Sequence, residues 1–146
     1  MLASNSSQFH DESSGHVKVL VIDDDAVARE LLVSILREGG HETFELHSPI
    51  GATQIIAKEG LDAVVLDVMM PAFSGDKLAM MLRSNPRLSH LIIVLVSSCD
   101  KRELDNLAKQ VHADAVVSKR DARTTLLPAI AARSIAAQSV KGDAVP

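Results

Sequence analysis

The segment Val17-Lys18-Val19-Leu20-Val21-Ile22-Asp23-Asp24-Asp25 joins a short, almost continuous β-branched run to three consecutive carboxylates. An apolar run without polar alternation reads as a strand covered on both faces. Directly after the acids, residues 26–38 place Val27, Leu31, Leu32, Ile35 and Leu36 on one helical face, with Asp25 as N-cap and Gly39-Gly40 as stop. Strand followed by helix then repeats along the chain. Residues 42–46 form a weaker, alternating strand, and Ser48-Pro49 offers an N-cap and first-turn proline for a helix to about Lys58. Residues 62–67 are a strand, and 75–83 a helix closed by Asn85-Pro86. The most apolar run, 91–97, precedes a capping box at Asp100 and Glu103, which opens a helix to about Val111. A short fifth strand, 114–118, leads to a last helical stretch ending near Ala137. Pro128 lies within it, which predicts a late start near Thr124 or Thr125, or a kink.

Five strand-then-helix units with unbroken apolar strands define an α/β fold: a doubly wound five-stranded parallel sheet with helices on both faces. The chain has 146 residues, 47% of them hydrophobic, enough for one packed core. No internal repeat or second domain is visible. The polar residues 1–16 and 139–146 are expected to be flexible tails around a domain spanning 17–138. With no Trp, no Tyr and three Phe (Phe9, Phe44, Phe73), the core must be aliphatic. Base-stacking nucleic-acid modules are excluded for want of ring faces, and a net charge of −4 disfavours phosphate-backbone binding, so no nucleic acid is expected as a partner. No run approaches the roughly 20 apolar residues that span a bilayer, and the start of the chain does not resemble a signal peptide, so no membrane partner and a cytoplasmic location are expected. The single cysteine, Cys99, cannot form an internal disulfide and reads as a small filler rather than a redox-sensitive thiol.

In a doubly wound sheet, ligands sit beyond the carboxyl ends of the strands. The residues there are Asp23 and Asp24 after the first strand, Asp67 after the third, Ser97 after the fourth and Lys119 after the fifth. A lone Asp after a strand is usually the N-cap of the next helix, but capping does not account for three carboxylates, a hydroxyl and an ammonium at successive strand ends. Two carboxylates about 4 Å apart repel by roughly 4 kcal/mol at an effective dielectric of 20, so three together call for a cation. Short oxygen ligands suit Mg²⁺, and no Cys/His cluster is present for zinc. With Lys119 and Ser97 opposite, the pocket is prepared for an anion beside the metal, and a phosphoryl group fits both. Asp67 ends the central strand and precedes a rigid turn, Val68-Met69-Met70-Pro71, so it is expected to be the most fixed and least hydrated carboxylate and the nucleophile; Asp23 and Asp24 are better placed for the metal.

These residues resemble the receiver domains of bacterial two-component response regulators, in the stand-alone, chemotaxis-regulator-like form. The resemblance rests on Val19-Leu20-Val21-Ile22-Asp23-Asp24-Asp25, on Leu66-Asp67-Val68-Met69-Met70-Pro71 with Ser74-Gly75, and on the spacings of 43, 30 and 22 residues that lead from Asp24 to Asp67, Ser97 and Lys119. It covers about residues 17–137. It implies a flavodoxin-like receiver fold with strand order 2-1-3-4-5. It also implies that Asp67 takes a phosphoryl group from a phosphohistidine on a histidine kinase or phosphotransfer protein, catalysing its own phosphorylation and dephosphorylation without being an enzyme in the turnover sense. Asp23, Asp24, Asp67 and the Met69 backbone carbonyl would surround Mg²⁺, and Ser97 and Lys119 would bind the phosphoryl oxygens. Their movement would shift an inactive/active equilibrium and so alter binding of a downstream protein partner, the chain itself being a monomer or weak dimer.

Three positions depart from the family pattern: Arg120 stands where Pro usually follows the lysine, Val116 where a switch aromatic is usual, and Ser98 where a small residue, commonly Ala, is usual. Met69 and Cys99, poor at positioning water, predict slow loss of the phosphoryl group. The basic residues Lys101, Arg102, Lys109, Arg120, Arg123 and Arg133 read as a solvated rim, with a docking surface as the sharper alternative. Two other functions compete with the phosphorylated switch. A pseudo-receiver would keep the fold as an unphosphorylated interaction module. An aspartate-nucleophile phosphatase would need a D-x-D pattern, and position 69 is Met.

Overall fold

The computed structural model describes residues 16–70, 74–98 and 100–144, without the side chains of Lys101 and of 134–144. Residues 1–15 of the expected tail 1–16, including Phe9, lie outside the described residues, as do Pro71 of the expected rigid turn, Phe73 and Cys99. Five strands, β1 (Lys18–Ile22), β2 (Glu42–Leu46), β3 (Ala63–Asp67), β4 (Ile92–Ser97) and β5 (Ala115–Ser118), form one parallel sheet in the order 2-1-3-4-5. They alternate with helices α1 (Ala26–Glu38), α2 (Ala52–Glu59), α3 (Gly75–Arg83), α4 (Lys101–Val111) and α5 (Ala122–Ala144). This is the flavodoxin-like receiver fold.

Side-chain alternation along the strands builds two cores. Leu20, Ile22, Val64, Leu66, Ile93 and Leu95 point to the face covered by α2, α3 and α4. Val19, Val21, Ala63, Val65, Ile92, Val94 and Val96 point to the face covered by α1 and α5. Because both faces are covered, the three central strands are apolar over Val19–Ile22, Ala63–Leu66 and Ile92–Val96, with polar residues only at their ends, whereas the edge strand β2 keeps exposed Glu42 and Glu45.

Local chemistry fixes the helix ends. Asp25 accepts from the Val27 N–H at 3.0 Å and caps α1; Asp100 accepts from Arg102 N–H at 2.8 Å and caps α4. Two expected boundaries move. Ser48 accepts from Ile50 N–H at 3.3 Å, so Ser48-Pro49 makes a turn rather than a cap, and α2 starts at Ala52 after Gly51 in the left-handed region (φ 88°). α5 starts at Ala122, earlier than expected, after a 3₁₀ turn over Lys119–Asp121, and it runs through Pro128. Thr124 and Thr125 hydroxyls donate to the Asp121 carbonyl at 3.1 and 2.8 Å, and fully buried Leu126 and Ile130 pin the helix on both sides of the exposed proline. Their burial offsets the roughly 3 kcal/mol that an interior proline costs. The helix also continues to Ala144, so the boundary drawn at 138 falls inside it; Ala136-Ala137-Gln138 are strong helix formers, and the next proline is Pro146. Among the described residues, no helix is long and apolar enough to cross a membrane.

Candidate functional site

The last paired rung between β1 and β3 is Ile22 with Leu66, so the next residues, Asp23 and Asp67, leave the sheet side by side. Asp67 is paired in register with Val96 of β4, which brings Ser97 to the same edge, and Ser97 is paired with Ser118, the residue before Lys119. The carboxylates of Asp23, Asp24 and Asp67 each offer an oxygen within 4.8 Å of the others. Lys119 Nζ stands 3.0 Å from Asp23 Oδ2 and 3.6 Å from Asp67 Oδ1. Sheet register thus gathers Asp23, Asp24, Asp67 and Lys119 at one point. Ser97, fully buried, ends the neighbouring strand.

Burial divides the carboxylates differently from the sequence expectation. Asp23 is 0% exposed and Asp67 2%, whereas Asp24 is exposed. Asp23, not Asp67, is therefore the least hydrated. The reason lies in the β1-α1 loop, where Asp25 N–H donates to Asp23 Oδ1 at 2.9 Å and turns that side chain inward. Asp23 Oδ2 is buried and is held by the Lys119 ammonium as an ion pair. Asp67 Oδ1 accepts from Met69 N–H at 3.1 Å. Burial pushes the Asp67 carboxyl up to about 6, with the nearby Asp23 charge adding to the effect and the Met69 N–H and Lys119 opposing it. Burial works against the Lys119 charge, but Asp23 and Asp67 outweigh it and hold its pKa above the ordinary lysine value.

The loop after Asp67 is shaped by Gly75, whose N–H donates to the Val68 carbonyl at 3.2 Å. A Cβ at Gly75 would fall on the Asp67 backbone carbonyl, so only glycine lets α3 begin this close to the strand end. Met69 projects outward, 61% exposed. At the far side, Ser118 accepts from Arg120 N–H at 3.3 Å, a bond that the proline usual after the lysine could not donate. Val116 is half-buried against the core on the α4 face.

A buried pair of carboxylates, a third exposed carboxylate and a lysine shared by the buried pair form a site for a hard cation and an anion together. The donor set is all oxygen, and three carboxylates clustered within 4.8 Å of one another against one lysine leave negative charge that a divalent ion would balance, so the residues fit Mg²⁺.

Fold and site together define a receiver-type α/β domain with an acidic pocket at the carboxyl edge of its sheet. The chain belongs to the response regulator receiver domain family, which it matches over residues 19–131. It is 33% identical over 110 residues to the response regulator protein FleR of Pseudomonas aeruginosa, covering 75% of this chain and 23% of FleR. It is 29% identical over 112 residues to the chemotaxis protein CheY-3 of Vibrio cholerae, covering 76% of this chain and 86% of that one. The chain thus spans less than a quarter of FleR and most of CheY-3. The fold is shared with the receiver domain of a LuxO repressor protein from Vibrio parahaemolyticus (TM-score 0.76, 17% identity, 90% of this chain and 99% of that one).

Sequence reasoning missed Arg29 and Glu45, which lie outside the strand ends. Arg29 Nη1 donates to the Asp23 carbonyl at 2.7 Å, and its Nε donates to Glu45 Oε1 at 3.3 Å. The only signal was positional, since Arg29 lies four residues after the Asp25 cap, one turn along α1.

Proposed function

We propose that the chain is a phosphorylatable switch in which Asp67 accepts a phosphoryl group from a phosphohistidine on a histidine kinase or phosphotransfer protein. The observation that carries this reading is the gathering of Asp23, Asp24 and Asp67 within 4.8 Å of one another at the end of the sheet, with Lys119 in ion-pair reach of Asp23 and Asp67. An Asp67 carboxylate oxygen attacks phosphorus, the phosphorus–nitrogen bond to the donor imidazole breaks, and the product is an acyl phosphate on Asp67. Asp23, Asp24, Asp67 and the Met69 backbone carbonyl would hold Mg²⁺, which when bound neutralises charge on the phosphoryl oxygens. The chain's own residues do the rest. Lys119 stands ready beside Asp67 to pair with an incoming phosphoryl oxygen, and the Ser97 hydroxyl at the next strand end supplies a hydrogen-bond donor. Asp67, raised to about 6, is still mostly ionised at neutral pH and so nucleophilic. Phosphorylation then alters binding of a downstream protein.

The test compares accumulation with turnover. Incubated with Mg²⁺ and acetyl phosphate, the chain is expected to gain one phosphoryl group, and with a generic phosphate ester it is expected to release no phosphate catalytically. Sustained turnover of the ester would instead point to a phosphatase, and no modification under either condition to an unphosphorylated interaction module.

A further inference from the structure

The β1-α1 loop carries two of the three clustered carboxylates, and its backbone is held from both sides. Asp23 N–H donates to the Leu46 carbonyl of β2 at 3.2 Å. The Asp23 carbonyl accepts from Arg29 Nη1 at 2.7 Å, and Nε of the same guanidinium donates to Glu45 Oε1 on β2 at 3.3 Å. Arg29 is mostly buried in this position, its side chain 19% exposed. The carbonyl it grips belongs to the peptide joining Asp23 to Asp24. A peptide is planar, so fixing that oxygen fixes the direction in which Asp24 leaves Asp23. Asp24 itself is exposed.

The geometry assigns to Arg29 the role of a positioning residue for the divalent cation: it locks the Asp23–Asp24 peptide so that both carboxylates face Asp67, and Glu45 anchors the guanidinium that does so. The assignment rests on reading the cluster as a Mg²⁺ site. It makes a prediction whose sign separates it from a purely electrostatic role. A fixed positive charge beside a cation site repels the cation, so acting by charge alone, loss of Arg29 would tighten Mg²⁺ binding. Acting by position, loss of Arg29 loosens it, and residues that orient metal ligands typically carry 10- to 100-fold in affinity.

Calorimetric titration of the full chain with Mg²⁺ alone, with amide exchange and thermal unfolding followed in EDTA, tests the assignment. Arg29→Ala is expected to weaken Mg²⁺ about tenfold or more and to speed exchange of the Asp25 amide that bonds Asp23 Oδ1, with the metal-free unfolding temperature close to the parent's. Arg29→Lys keeps a donor for the Asp23 carbonyl and is expected to recover part of the affinity. Glu45→Gln keeps an acceptor for Arg29 and is expected to stay within about twofold of the parent. Unchanged or tighter Mg²⁺ binding in Arg29→Ala overturns the assignment. If that variant does not fold, unchanged affinity in both Arg29→Lys and Glu45→Ala overturns it instead. A parent that binds no Mg²⁺ overturns the metal-site reading and this assignment with it; a parent that binds while Arg29→Ala binds equally well overturns the assignment alone.

Discussion

Asp23 and Asp67 stand side by side at the ends of adjacent strands, and both face Lys119. The Asp23 side chain is folded inward by the Asp25 amide. Burial raises the Asp67 carboxyl to about 6 from an ordinary 3.8. The unfolded chain ionises Asp67 near the lower value and the folded chain near the upper one. Across that window the folded state holds the extra proton, so the contribution of Asp67 to stability falls as pH rises from 3.8 through 6 and stays low above it. Asp67→Asn is therefore expected to stabilise the metal-free chain at neutral pH by ~1–3 kcal/mol, read as a higher urea midpoint in EDTA. A lower midpoint would contradict the charge balance drawn for the site. Mg²⁺ should raise the midpoint of the parent more than that of the variant. Met69, exposed and two residues past Asp67, offers no group to hold a water in line with phosphorus. Met69→Asn is expected to shorten the lifetime of the phosphoryl group by about tenfold or more, measured as loss of the added mass over time. Decay at the parent's rate would remove Met69 as a determinant.

At the scale of elements, the start of the sheet carries a titratable joint. His41, 9% exposed, precedes β2, accepts from Val17 N–H on Nδ1 at 3.1 Å, and meets His16 edge to face with ring centroids 5.9 Å apart. Burial and the His16 charge hold its pKa below 6.5, and the Val17 bond needs an unprotonated Nδ1. The stability it contributes is complete above 6.5 and is lost as pH falls from there toward the lower folded value. In His41→Asn, which keeps an acceptor but cannot titrate, the loss of stability between neutral and mildly acidic pH is expected to shrink. An identical pH profile in parent and variant would show that His41 carries none of it. The elements themselves were readable because both faces of this sheet are covered: Val19 to Ile22 and Leu91 to Val96 had to be apolar throughout, and the polar residue after each such run had to be at the pocket edge. Of the boundaries set by side-chain hydrogen bonds, the caps at Asp25 and Asp100 were readable and the one at Ser48 was not. Ser48 could cap a helix or close a turn with the same hydroxyl, and Pro128 could be accommodated only because Leu126 and Ile130 are buried, which local sequence does not declare. The depth of Asp23 and the reach of Arg29 to its carbonyl depend on how α1 folds back over the β1 end, a tertiary fact with no local pattern.

Across the whole molecule, parallel register converts four separate strand ends into one acidic pocket, and a net charge of −4 leaves that pocket suited to a cation before an anion. The aliphatic composition noted in the sequence has its structural counterpart at Val116, half-buried on the α4 face where relatives usually carry a ring. Everything in this account depends on Asp67 being the phosphoacceptor. The direct measurement is the intact mass of the full chain after incubation with Mg²⁺ and acetyl phosphate, alongside Asp67→Asn and an EDTA control. The account predicts the mass of one phosphoryl group on the parent, and none on the variant or in EDTA. An unmodified parent, or a variant that gains the group equally, would contradict it.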